Sequence, residues 1–156
     1  MSTIPNPQEH PAMQVPTPNP HIILLNPPTL APSKTTLSRG AVVEPPVRMV
    51  YCAGTVGADV NKVLADGFEA QLVLALQNVN HVLTAGGASI RDIVKLTFYV
   101  VGWDAGEMGF AFNKALTEFL TDDLGLYAPP RTLVGVACLA VPELLLEVDC
   151  VAATRV

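Results

Sequence analysis

The chain has 156 residues, half of them hydrophobic and only 15% charged, with a formal net charge of −5. That length suits one domain with a full core, and so sparse a charge complement implies that partner subunits cover part of the surface. The Lys and Arg residues are scattered singly, so no cationic face is offered to nucleic-acid phosphates.

No basic n-region precedes a long apolar stretch, and "HIILL" is too short to span a bilayer. The expectation is a soluble, cytoplasmic protein without a membrane partner. Cys52, Cys138 and Cys150 are widely spaced and form no CxxC or Cys/His cluster, so they read as buried reduced thiols, with no metal and no cofactor expected.

Residues 1–36 form a Pro-rich arm that holds about two-thirds of the fourteen prolines. Proline breaks both helices and sheet ladders, so the arm is expected to be extended or disordered, with "HIILL" able to clip on as an edge strand. The regular domain is expected over 37–156. "SRGAVVE" and "RMVYCAG" read as short strands around Pro45-Pro46, followed by a polar, glycine-punctuated loop.

Residues 68–87 read as a helix whose apolar positions Leu72, Leu76, Val79 and Leu83 recur at three and four, with glycines at its end. Asn78 and His81 lie on its flank. A strand follows over 93–101, then a helix packing through Phe112, Leu116, Phe119 and Leu120. Pro129-Pro130 forces an extended entry to "RTLVGVACLA", and "LLLEVDCVAAT" closes the chain. The order β-β-α-β-α-β-β predicts an α+β layer fold, both helices on one face of a sheet. The other face is apolar and needs cover.

Two charges stand out in the last strands. Arg131 opens an apolar run and Glu147 sits inside another, and unpartnered charges are costly to bury. If the two strands pair as a hairpin about Val141-Pro142-Glu143, Arg131 and Glu147 come level. They then make either a structural ion pair or a site, the guanidinium fork suiting a carboxylate and the glutamate a water.

"YCAGTVGAD", "FEAQLVLALQNVNHVLTAGGASIRDIVKLTFYV", "FN", "PPRTLVGVACL" and "LLLEVDCVA" together resemble the RidA/YjgF/UK114 family, from about residue 38 to the C-terminus. The resemblance implies a chorismate mutase-like, YjgF-type fold and a homotrimer with a central β-barrel and intersubunit clefts. It also implies hydrolysis of enamine/imine acids to keto acids and ammonia without a cofactor.

Carried over by residue, Arg131 would grip the substrate carboxylate and Glu147 would position or activate the attacking water. The Leu133 carbonyl would help to hold that water, Asn113 would support the site, and Gly54 would match the strand-end glycine. One position departs from the pattern: Leu37 stands where deaminase members carry tyrosine in a "GPYSQA"-like stretch, with Ser38 at the serine. The lost hydroxyl makes the pocket more apolar, and Ser38, Arg39 or Tyr51 is left to compensate.

The resemblance therefore implies an imine/enamine hydrolase acting on a carboxylate-bearing small molecule. A divergent enzyme performing acid–base isomerisation or cyclisation in a specialised pathway stands beside it, as does a non-catalytic small-ligand-binding module. Endoribonuclease activity, described for some members, is disfavoured by the charge balance.

Overall fold

The computed structural model describes residues 19–31 and 37–156; the rest of the arm, 1–18 and 32–36, lies outside the described residues. Ten elements follow in order. They are β1 (Ile22–Leu25), β2 (Gly40–Val43), β3 (Val47–Thr55), α1 (Gly67–Ala85), β4 (Ile93–Val101), α2 (Glu107–Phe119), β5 (Thr121–Asp122), β6 (Gly125–Leu126), β7 (Arg131–Val136) and β8 (Leu146–Arg155). The fold is α+β, with two helices and a mixed sheet.

The main sheet runs β3-β8-β4-β7. β8 is antiparallel to both β3 and β4, and β7 is parallel to β4. A parallel pair needs a crossover, and α2 supplies it between β4 and β7. β3 and β4 likewise run in the same direction, linked through α1, and β8 is inserted between them.

This order corrects the predicted hairpin. Strands β7 and β8 are not neighbours, because β4 lies between them. The connecting residues 137–145 exceed the roughly two to five of an ordinary hairpin loop, which lets β8 step past β4 and fill the gap beside β3. The first two predicted strands also part company: β2 pairs with β1 (Ile22↔Val43, Leu25↔Gly40), while β3 joins the main sheet.

Alternation explains the layers. Leu96, Phe98 and Val100 of β4 and Leu146, Val148 and Cys150 of β8 are buried toward the helices. The predicted stripe of α1, Leu72, Leu76, Val79 and Leu83, is at most 2% exposed; each such side chain contributes roughly 1.5–3 kcal/mol by burial. α2 meets the sheet through Phe112, whose ring stands edge-on to Phe98 at 4.8 Å.

The opposite face carries Met49, Tyr51 and Val134, all exposed, but also Lys95, Thr97, Tyr99, Thr132, Glu147 and Asp149. It is mixed rather than uniformly apolar. Cys52 and Cys150 are buried as expected, whereas Cys138 is exposed.

Residues 19–31 of the arm are docked on the body. Ile22 and Leu24 enter the core, and the Asn19 amide donates to Asp92 Oδ1 (2.6 Å) and to the Ala153 carbonyl (2.8 Å). No helix among the described residues is long and apolar enough to cross a membrane.

One ion pair fixes the approach to β7. Buried Arg91 holds Asp122 through both carboxylate oxygens and also donates to the Gly125 carbonyl, tying the β5–β6 hairpin to the turn before β4. Tyr127, fully buried, donates to the Ile93 carbonyl at 2.7 Å. Arg91 holds the Asp122 carboxyl down to about 2, below its usual 3.8.

A depressed carboxyl stabilises the fold above its ordinary pKa and loses that contribution as pH falls toward the folded value. The unfolding free energy from urea titrations should therefore drop between pH 4 and pH 2, by about 1 kcal/mol given the solvent exposure of Asp122. Asp122→Asn should flatten that part of the pH profile. An unchanged profile in the variant would assign the acid sensitivity elsewhere.

Candidate active site

The register separates the two charges that sequence reading had brought level. Arg131 lies opposite Leu96, which lies opposite Cys150; Glu147 lies opposite Tyr99, which lies opposite Val134. Arg131 is thus two strands and three positions from Glu147, roughly 14 Å from the strand spacing and rise. They also project from opposite faces, since Arg131 is in register with helix-facing Leu96 and Glu147 with outward-facing Tyr99. Within one chain they do not meet.

Each instead has its own company. Glu147 is half-buried, and its carboxylate fills the space where a side chain on Gly54 would begin. The β3–β8 ladder slips between Cys52 and Thr55, and this bulge brings Gly54 against the glutamate. Gly54→Ala should push the carboxylate aside at little cost in stability, because the far end of a flexible side chain can move. Turnover should fall tenfold or more with the melting temperature nearly unchanged. Unaltered kcat would show that the seat of Glu147 is not used.

Two α1 side chains brace this seat, and neither was singled out for it from sequence. Gln71, 3% exposed, donates to the Glu143 carbonyl and accepts from the Leu145 amide, each at 3.0 Å, clamping the entry to β8. Asn78 donates to the Val56 and Ala58 carbonyls at 2.9 and 2.8 Å, holding the chain just beyond Gly54. The signal for Gln71 was a polar residue beside the buried stripe of α1. A buried amide must find partners.

The second group surrounds Arg131. Its guanidinium is partly buried, and desolvation pulls its pKa below the ordinary arginine value. The Ser38 amide donates to the Ala128 carbonyl at 2.9 Å, which sets Leu37 and Ser38 beside the diproline segment leading to Arg131. Leu37 is half-buried, and the buried Ser38 hydroxyl has no hydrogen-bond partner among the described residues.

Leu133 shares the Arg131 face and packs on the core. The Leu96 amide donates to the Pro130 carbonyl, so in the parallel ladder residues 130, 132 and 134 turn their polar groups toward β4. The Leu133 carbonyl consequently points off the free edge of β7.

Asn113 joins neither group. It is exposed on α2 and donates to the Gly109 carbonyl of its own helix at 2.7 Å. His81 is exposed on α1, and Tyr51 is 72% exposed on the open sheet face. No cluster of three or more His, Cys, Asp or Glu suited to a metal occurs among the described residues.

A family model described as Endoribonuclease L-PSP matches residues 30–154. The chain belongs to the RidA/YjgF/L-PSP (Rid) family. A mitochondrial protein of Schizosaccharomyces pombe, mmf1, is 30% identical over 106 residues, which are 67% of this chain and 61% of that protein. The chain thus spans less than two-thirds of the length of this curated relative.

The Rid protein YyfB of Yersinia pestis superposes with a TM-score of 0.74 at 28% identity, over 85% of this chain and 98% of that one. TdcF of E. coli, solved with bound serine, matches in fold at a TM-score of 0.61 and 24% identity, over 81% and 91% of the two chains. The Rid match begins at residue 30 and so takes in Leu37 and Ser38 as well as the strands that carry Gly54, Arg131 and Glu147.

Proposed function

We propose that this Rid protein is a hydrolase of enamine/imine acids, releasing a keto acid and ammonia, and that it works as a homotrimer with its sites in clefts between subunits. The observation that carries the reading is the seat of Glu147. A carboxylate is set against a glycine at a strand bulge, where its room would be lost with any other residue. Family membership gives that seat its chemical context.

In this reading Arg131 binds the substrate carboxylate through its planar fork. Glu147 orients a water and takes its proton as the oxygen attacks the C=N carbon, while the Leu133 carbonyl accepts the other water hydrogen. The proton held by Glu147 passes to nitrogen and completes the carbinolamine. Glu147 then takes the hydroxyl proton and relays it to the amine as the C=O bond forms and the C–N bond breaks, leaving ammonia and the keto acid. Substrate and water together supply every atom of the products.

The test is ammonia release from imino acids generated in situ by an amino acid oxidase, compared with spontaneous hydrolysis. Acceleration supports the reading; rates equal to the uncatalysed reaction across small and bulky substrates overturn it.

Leu37 favours a refinement. An alkyl group beside the diproline segment that leads to Arg131, with Leu133 on the Arg131 face, fits an imino acid with a larger apolar side chain better than an alanine-derived one. Leu37→Tyr should therefore shift kcat/KM toward the small imine by about tenfold, the effect of one added hydrogen bond. An unchanged preference would remove Leu37 from the pocket. If no imine is hydrolysed but a bulkier carbonyl acid is turned over saturably, acid–base isomerisation or cyclisation in the same cleft takes precedence.

A further inference from the structure

Cys52 lies directly opposite Cys150 in the β3–β8 ladder. Both thiols are free, and both are buried, at 8% and 1% exposure. Directly opposed residues of an antiparallel pair hold their Cβ atoms about 4.5–5.5 Å apart. A disulfide needs about 3.5–4.5 Å, so closure requires a shift of about one ångström. The slack is at hand, because the ladder slips immediately after Cys52.

The pair is also asymmetric. The facing thiols perturb each other, Cys150 holding Cys52 below the ordinary thiol pKa while Cys52 and burial push Cys150 up. Cys52 is the more exposed of the two and the better nucleophile. Neither thiol has a part in the chemistry of Arg131 and Glu147, and a buried pair of facing thiols is more than two inert core cysteines require.

We propose that Cys52 and Cys150 form an oxidisable dithiol that takes a small peroxide as its substrate and closes into an internal disulfide between β3 and β8. The Cys52 thiolate attacks one peroxide oxygen and the O–O bond breaks. Cys52 becomes the sulfenic acid, and the departing hydroxide takes a proton to leave as water. The Cys150 sulfur then attacks the Cys52 sulfur. The S–O bond breaks, the Cys150 proton leaves with the hydroxyl as a second water, and the S–S bond forms. Two thiols are oxidised and one peroxide is reduced to two waters. The bond ties β3 to β8 two residues before Gly54.

The test uses the folded full chain carrying Cys138→Ser, so that the exposed third thiol is silent. After treatment with hydrogen peroxide the chain is denatured and blocked with N-ethylmaleimide. The expected product has lost two hydrogens, carries no maleimide, and on non-reducing digestion yields the Cys52 and Cys150 peptides joined; dithiothreitol restores both thiols. With Cys150→Ala added, oxidation stops at a Cys52 sulfenic acid that dimedone captures. Two maleimides on the peroxide-treated chain would overturn the assignment. So would oxygen added to Cys52 with Cys150 still alkylated, or a cross-link that forms only in the unfolded chain.

Discussion

Replacing Arg131 by alanine is expected to lower kcat/KM for every accepted imino acid by about 10²–10³, read as initial ammonia release. The fork can make two charge-assisted bonds to a carboxylate, each contributing on the order of 1.5–3 kcal/mol, and losing about 3–4 kcal/mol corresponds to that factor. Arg131→Lys should recover only part of it, since an ammonium is a point charge without the fork. The backbone tie from Leu96 to Pro130 is independent of the side chain, so β7 should stay in register. Melting temperature checks that point. A folded Arg131→Ala chain that hydrolyses imino acids at the wild-type rate would rule out the anchor.

The contrast between Arg131 and Asp122 shows why charge alone is a poor guide to a site. Asp122 has its pKa strongly perturbed, yet Arg91 and the Leu124 amide account for its surroundings and its work is to hold a hairpin. Burial lowers the pKa of Arg131, which stands at the start of an edge strand. Its position at an edge, rather than any pKa, is what suits it to a ligand or a second subunit.

Local elements were legible in the sequence because their signals are local. The stripe of α1 and the strand 93–101 follow from periodicity, and both are where spacing puts them. The arm's apolar "HIILL" was legible as an edge strand from its run of apolar residues, and Ile22–Leu25 of it pair with β2. What failed was a pairing. Equal offsets about a turn suggested a β7–β8 hairpin, but which strands become neighbours depends on non-local competition. The β4–α2–β7 crossover claims one edge of β4, leaving β8 the slot between β4 and β3.

The site residues were read largely from family resemblance, and their arrangement could not be read at all. The seat of Glu147 depends on a bulge in another strand, and bulges leave little trace in one sequence. Asn113, placed by resemblance, hydrogen-bonds within its own helix.

That failed pairing leads to the second large effect. Arg131 and Glu147 lie two strands apart on opposite faces, so a substrate in contact with both must take one from each of two chains. Glu147→Gln should keep the shape of the carboxylate but lose the base, lowering kcat about 10²–10⁴, the range for a positioned acid–base group. Arg131→Ala chains and Glu147→Gln chains should each be nearly inactive as pure oligomers.

Mixed in equal amounts and reassembled, the two variants should regain activity. A site in a cyclic assembly would draw its arginine from one subunit and its glutamate from the next. Random mixing gives each correct donor half the time, so about a quarter of wild-type activity is expected if the assembly is cyclic. Pure variants that are dead, together with a mixture that stays dead despite verified subunit exchange, would place both residues in separate roles within one chain. Pure variants that keep full activity would instead remove Arg131 and Glu147 from the reaction, whatever the assembly.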